Sequence, residues 1–121
     1  MTKRILVVED HEENRRIMRD LLTSAGLEMI EALTGEDGVR LAESERPNLI
    51  LMDIQLPGLD GYEATRRIKS NPALRAIPII AVTSYALSGD EVKAREAGCD
   101  DYVAKPFSPR ALLAKVREHL K

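Results

Sequence analysis

Leu49-Ile50-Leu51-Met52 is an apolar run that stops at a carboxylate, Asp53, and three other runs end in a similar way. Ile5-Leu6-Val7-Val8 leads to Glu9-Asp10, Ile79-Ile80-Ala81-Val82 to Thr83, and Tyr102-Val103-Ala104 to Lys105. Short β-rich apolar runs separated by helical stretches are the pattern of strands buried in a parallel sheet. Ligands of open parallel sheets bind just beyond the carboxyl ends of the strands. Three carboxylates, a hydroxyl and an ammonium are thus delivered to one edge of one sheet. That edge is the candidate site.

Working outward, strand and helix alternate five times. The first strand runs from Arg4 to Val8. The helix after it carries apolar positions Ile17, Leu21, Leu22 and Ala25 at three- and four-residue spacing, closed by Gly26. Leu27 to Ala32 holds a second strand. Thr34, with Asp37 three residues on, caps a second helix that stops before Pro47. After Asp53 comes the turn Leu56-Pro57-Gly58, and Asp60 with Glu63 resembles a capping pair for a third helix through Ile68. Ser88 or Asp90 starts a fourth helix closed by Gly98. The fifth strand ends at Lys105, and Ser108-Pro109 opens a last helix that runs nearly to Lys121. The expected fold is α/β: five parallel strands, right-handed crossovers and helices on both faces.

Bulk properties narrow the function. The chain has 121 residues, enough for one domain with a real core. Its net charge of -2, with Lys and Arg interleaved among acids, gives no basic stripe for direct DNA binding. No run is long enough for membrane insertion, and Lys3-Arg4 leads into a strand instead of a signal peptide. Cys99 is the single cysteine, so no internal disulfide can form; a lone thiol before a strand reads as packing, in a reducing cytoplasm.

Crowded carboxylates repel one another unless a cation or protons intervene. Oxygen ligands without a His or Cys cluster favour Mg²⁺, or Mn²⁺ in its place, over zinc. Glu9, Asp10 and Asp53 sum to -3; a divalent ion adds +2 and Lys105 +1, which leaves the site near neutral. Such a site suits acceptance of a phosphoryl group, where positioning and neutralisation dominate. Asp53 is the candidate nucleophile, since a carboxylate attacks phosphorus to give an acyl phosphate. Thr83 and Lys105 are placed to hold phosphoryl oxygens. Asp10 is the expected direct metal ligand, with Glu9 acting through water.

Val7-Val8-Glu9-Asp10, Leu51-Met52-Asp53-Ile54-Gln55-Leu56-Pro57, Ala81-Val82-Thr83-Ser84 and Tyr102-Val103-Ala104-Lys105-Pro106-Phe107 together resemble the receiver domain of bacterial two-component response regulators. The resemblance spans the first strand to the last helix, and Asp60-Gly61 and Gly98-Cys99-Asp100-Asp101 fit it. It implies the flavodoxin-like, chemotaxis-regulator strand order 2-1-3-4-5, with residues 1–121 as a single receiver domain and no output domain. By position, it makes Asp53 the phosphoacceptor, Glu9 and Asp10 the acidic metal pocket, and the backbone carbonyl of Gln55 a further metal ligand. Thr83 and Tyr102 resemble the switch pair, Lys105 matches the family's lysine, and Lys105-Pro106 looks like its cis peptide. Gln55 and Tyr85 stand where dephosphorylation is tuned; Tyr85 is bulky enough to obstruct the attacking water.

The implied donor is a histidine kinase or histidine phosphotransfer protein. The implied output is a downstream protein bound on the face of the fourth helix, fifth strand and fifth helix, with a phosphorylation-linked homodimer compatible with the same face. The Met52-Asp53-Ile54-Gln55-Leu56-Pro57 segment and the Thr83-Ser84-Tyr85-Ala86-Leu87-Ser88-Gly89-Asp90 stretch are most similar to stand-alone regulators of the DivK type and to receivers within hybrid histidine kinases. Met1 and the end at Lys121 favour the stand-alone kind.

Other classes fit less well. A haloacid-dehalogenase-like aspartyl phosphatase needs a second aspartate where Gln55 stands. A flavin or nucleotide site wants a glycine- or hydroxyl-rich first loop, whereas Glu9-Asp10-His11-Glu12-Glu13 repels phosphate. A phosphorylation-independent pseudo-receiver would not need the full set of site residues. His11, beside the acidic pair, is expected to face solvent; His119 suits the C-terminal end of its helix.

Overall fold

β-branched and leucine-rich runs take the strands, and the amphipathic stretches between them take the helices. The structure, a computed structural model, describes residues 2–83 and 90–121. The strands are β1 (Arg4–Val8), β2 (Glu28–Ala32), β3 (Leu49–Asp53), β4 (Ile79–Thr83) and β5 (Asp101–Ala104). All pair in parallel, in the order β2-β1-β3-β4-β5. The order expected from the resemblance is therefore the order observed. β5 stops one residue earlier than expected, at Ala104. Lys105 lies just past it, and its amide still reaches Thr83 O at 2.6 Å. The Lys105–Pro106 peptide is cis.

The helices are α1 (Glu12–Ser24), α2 (Gly35–Glu45), α3 (Gly61–Ser70), α4 (Asp90–Ala97) and α5 (Pro109–His119). Thr34, Asp60 and Ser108 cap α2, α3 and α5 by accepting from the backbone three residues on. The Asp60–Glu63 capping pair is only half made. Asp60 accepts from the Glu63 amide at 2.9 Å, while the Glu63 carboxylate turns to Arg66 and Arg67.

Because strand side chains alternate, each strand feeds two cores. Ile5, Val7, Leu49, Leu51, Ile80, Val82 and Val103 pack under Met18 and Leu22 of α1 and Leu112 and Val116 of α5. Leu6, Val8, Ile50, Met52, Ile79 and Ala81 pack under Ala42, Ala64, Ile68 and Ala94 of α2, α3 and α4. Full burial of each large aliphatic side chain stabilises by about 1.5–3 kcal/mol. The central strands β1, β3 and β4 therefore anchor the sheet edge that carries the site.

One expectation about α1 fails. Ile17 is 46% exposed, and the buried stripe is Arg15, Met18 and Leu22. The stripe runs at i, i+3 and i+7, so the helix is rotated about one position from the face that Ile17 would mark. The reason is Arg15, whose guanidinium has acceptors under the helix.

Candidate functional site

Alternation continues one residue past the strand ends and sorts the site. The Glu9 amide donates to Ala32 O at 3.0 Å, so the β1 ladder extends to Glu9. Glu9 then shares the parity of Val7, Asp53 that of Leu51, and Lys105 that of Val103. All three rise on the α1/α5 side of the sheet. They meet there. Lys105 Nζ donates to Glu9 Oε1 at 2.8 Å and to Asp53 Oδ2 at 3.3 Å. Glu9 is fully buried, Asp53 is 2% exposed and the Lys105 side chain 12%.

Asp53 is also held from its own turn, because the Gln55 amide donates to its Oδ1 at 3.1 Å. Behind it, α3 starts so close that a Cβ on Gly61 would lie 2.2 Å from Asp53 O. β3 and α3 can approach this far only because residue 61 has no side chain.

Electrostatics divide the two buried carboxylates. Burial pushes Asp53 up to about 6, and the neighbouring Glu9 charge pushes the same way; Lys105 only partly offsets them. Burial opposes ionisation of Glu9 as well, but the Lys105 ammonium and the His11 amide outweigh it and hold its pKa low. Burial disfavours the Lys105 cation, yet the Glu9 hydrogen bond and the Asp53 charge raise its pKa. Without added cation, the site holds more negative charge than Lys105 can balance.

Asp10 completes the acidic group. Its Oδ1 is buried and accepts no hydrogen bond among the described residues. Glu9, Asp10, His11 and Asp53 each bring one ligand atom within 4.8 Å of the others. A buried carboxylate oxygen that accepts no hydrogen bond, in an oxygen-rich pocket with excess negative charge, fits a hard divalent cation.

Thr83 and Tyr102 have the opposite parity, on the side of α2, α3 and α4. Thr83 is buried, and the Gln55 side-chain amide donates to its hydroxyl. Tyr102 is half-buried against the core on that side. The structure thus brings Glu9, Asp53 and Lys105 into contact, with Asp10 beside them, and keeps Thr83 and Tyr102 behind the sheet edge. Tyr85 lies outside the described residues. Cys99 is buried packing: its Sγ lies 3.8 Å from Thr65 Oγ1, and burial pushes the thiol up to about 11. His119 has a partner the sequence did not reveal, Asp101 Oδ2 at 3.0 Å.

Sequence reasoning also missed Arg15. It donates to Glu9 O at 3.0 Å and meets Glu12 and Glu31, so it ties α1 and β2 to the acidic loop. The signal was present as an arginine in phase with Met18 and Leu22. Beside Lys105 a groove of about 570 Å³ opens, lined by Asn14, Ile17, Lys105, Pro106, Phe107 and Pro109.

Residues 5–117 match the family model described as the response regulator receiver domain. The chain belongs to that family. It is 42% identical over 120 residues to the polar-differentiation response regulator DivK of Brucella ovis, covering 99% of this chain and 98% of that protein. Among solved structures, it is similar to the receiver domain of a sensor histidine kinase from Pseudomonas aeruginosa PAO1, solved with a magnesium ion coordinated in its active site cleft. That identity is 40% and the TM-score 0.92, over 99% of this chain and 98% of the other. The Vibrio cholerae chemotaxis protein CheY4 shares the fold, with a TM-score of 0.93 at 23% identity over 99% of this chain and 100% of the other. This is a DivK-like receiver domain of two-component signalling, built on the CheY-like flavodoxin fold. No helix among the described residues is long and apolar enough to cross a membrane.

Proposed function

We propose that this receiver accepts a phosphoryl group on Asp53 from a phosphohistidine of a histidine kinase or histidine phosphotransfer protein. An Asp53 Oδ attacks phosphorus, the P–N bond breaks, and the leaving imidazole takes a proton. The product is an acyl phosphate on Asp53. The observation that carries this reading is the geometry of Asp53 itself. It is nearly buried at a strand end and is gripped by the Gln55 amide and Lys105. It stands beside an acidic pocket with an orphaned Asp10 oxygen.

Asp10, Asp53 and the backbone carbonyl of Gln55 would hold Mg²⁺, or Mn²⁺, with Glu9 at longer reach. When bound, that ion neutralises the carboxylates and the incoming phosphoryl oxygens. Lys105 pairs with one phosphoryl oxygen, which requires it to loosen its contact with Asp53. The Thr83 hydroxyl supplies a second hydrogen bond after leaving the Gln55 amide. That movement opens space for Tyr102 to turn inward. Thr83 and Tyr102 lie on the α3/α4 side, so the shift reaches the face of α4, β5 and α5, where a downstream protein or a second receiver would bind. The groove beside Lys105 is where a donor protein would dock. Gln55 and Tyr85 would set how long the acyl phosphate survives. The chemistry is confined to the chain's own carboxylate, with no turnover of outside substrates.

Intact mass after incubation with acetyl phosphate and Mg²⁺ tests this directly. A labile single-phosphoryl adduct is expected on the wild type, absent from Asp53→Asn and from an EDTA control. An adduct that persists in Asp53→Asn would overturn the assignment. So would its absence with both acetyl phosphate and a phosphohistidine donor.

A further inference from the structure

We infer that His11 makes the acidic pocket a mixed nitrogen–oxygen site that takes first-row transition ions such as Zn²⁺ through the His11 imidazole. This rests on the pocket being the metal seat proposed above. Its ligands were expected to be oxygen alone.

Two observations carry it. First, His11 is the N-cap of α1 but makes no side-chain cap bond. Its ring is largely exposed, as expected of a loop histidine, yet Nδ1 is turned inward. It lies 3.2 Å from Asp10 Oδ1 and 3.3 Å from Glu9 Oε2. Neighbouring ligands of a tetrahedral ion with bonds of about 2.0 Å are about 3.3 Å apart. His11 Nδ1 is therefore already at that spacing from a carboxylate oxygen of each neighbour. The backbone supports this placement, since the His11 amide donates to the same Glu9 Oε2 at 3.1 Å.

Second, Glu9 has two separate sides. Oε1 faces Lys105, and Oε2 faces His11. An ion held by Oε2, Asp10 Oδ1 and His11 Nδ1 leaves the Lys105 contact intact, and it meets Asp10 Oδ1, a buried oxygen that accepts no hydrogen bond among the described residues. Asp53 also has a ligand atom within the 4.8 Å cluster and is the natural fourth donor.

Chemistry then sets the preference. Mg²⁺ is hard and gains little from imidazole, whereas Zn²⁺ and Co²⁺ bind it well. A transition ion here takes Glu9 directly but shares Asp10 and Asp53 with Mg²⁺, so the two compete.

Nitrogen NMR is the decisive experiment, because the chain has only two histidines, His11 and His119. Zn²⁺ is titrated into EDTA-stripped, desalted wild-type protein and the imidazole nitrogens are followed. The expected result is a shift of His11 Nδ1 to a metallated position, reversed by excess Mg²⁺. In His11→Gln the ratio of Zn²⁺ to Mg²⁺ affinity, measured by calorimetry, falls roughly tenfold or more. A Zn²⁺ complex that leaves the His11 ring unmoved, or that shifts His119 instead, overturns the proposal. Equal losses of Zn²⁺ and Mg²⁺ affinity in His11→Gln also overturn it, since His11 would then only position the carboxylates. A wild type that phosphorylates with Mg²⁺ while His11 ignores Zn²⁺ sinks this inference alone and leaves the phosphoacceptor reading standing.

Discussion

Replacing Asp53 with asparagine is expected to stabilise the metal-free protein at pH 8. The Asp53 carboxyl is 2% exposed, and burial with the Glu9 charge lifts its pKa from 3.8 to about 6. A carboxyl with a raised folded pKa favours folding below its unfolded value, and that advantage is lost as pH rises through the folded value. The shift corresponds to about 3 kcal/mol of strain at pH 8 and almost none at pH 4. Asparagine keeps an oxygen for the Gln55 amide but forgoes the Lys105 contact at 3.3 Å. The net gain at pH 8 is therefore expected at about 1–3 kcal/mol. Urea unfolding in EDTA, followed by circular dichroism at pH 8 and pH 4, measures it. Mg²⁺ at ten times its Kd should then stabilise the wild type by about 1.4 kcal/mol and the variant by less, narrowing the gap. An Asp53→Asn protein no more stable than the wild type at pH 8, or a gap that does not change with pH, would refute the reasoning.

Three further outcomes are expected. Lys105→Met leaves two buried carboxylates facing each other, and should cost about 3 kcal/mol at pH 8 without metal. Denaturant melts of the double variant with Asp53→Asn should recover part of that loss, and full additivity would contradict the contact. Gly61→Ala drives a Cβ against Asp53 O and should destabilise by roughly 2 kcal/mol or more by thermal unfolding. In contrast, Gly26→Ala, which meets nothing within 4 Å but has φ +79°, should cost less. Burial opposes ionisation of Asp101, yet Lys115 and His119 hold its pKa down at about 2, from 3.8. Its stabilisation, about 2 kcal/mol, is present above pH 4 and lost as pH falls through 2. Denaturant melts of Asp101→Asn against wild type should show that gap closing across the same window.

Much was legible before the structure because β periodicity and strand-end chemistry are local. The runs ending at Asp53, Thr83 and Glu9-Asp10, the caps at Thr34, Asp60 and Ser108, and the glycine stop at Gly26 each depend on a few neighbouring residues. Ile17 misled because a stripe of apolar residues marks a helix face only when no polar residue has a better claim to the interior. Arg15 had that claim, and its acceptors, Glu9 O and Glu31, lie on other elements.

The sequence by itself determined that five strands alternate with five helices, and that carboxylates, a hydroxyl and a lysine stand at strand ends. Strand order and register were decided only in the tertiary structure, because parallel pairing joins segments that no local pattern links. Registering β1, β3 and β5 as observed turns Glu9, Asp53 and Lys105 to one side and brings them within hydrogen-bonding reach. The same register turns Thr83 and Tyr102 to the other side, so the proposed acceptor and the proposed switch pair occupy opposite faces of one sheet edge. Tertiary placement then did what composition cannot, splitting two carboxylates of nearly the same intrinsic acidity: burial raises Asp53, while at Glu9 the same burial is outweighed by the Lys105 ammonium at 2.8 Å and the His11 amide.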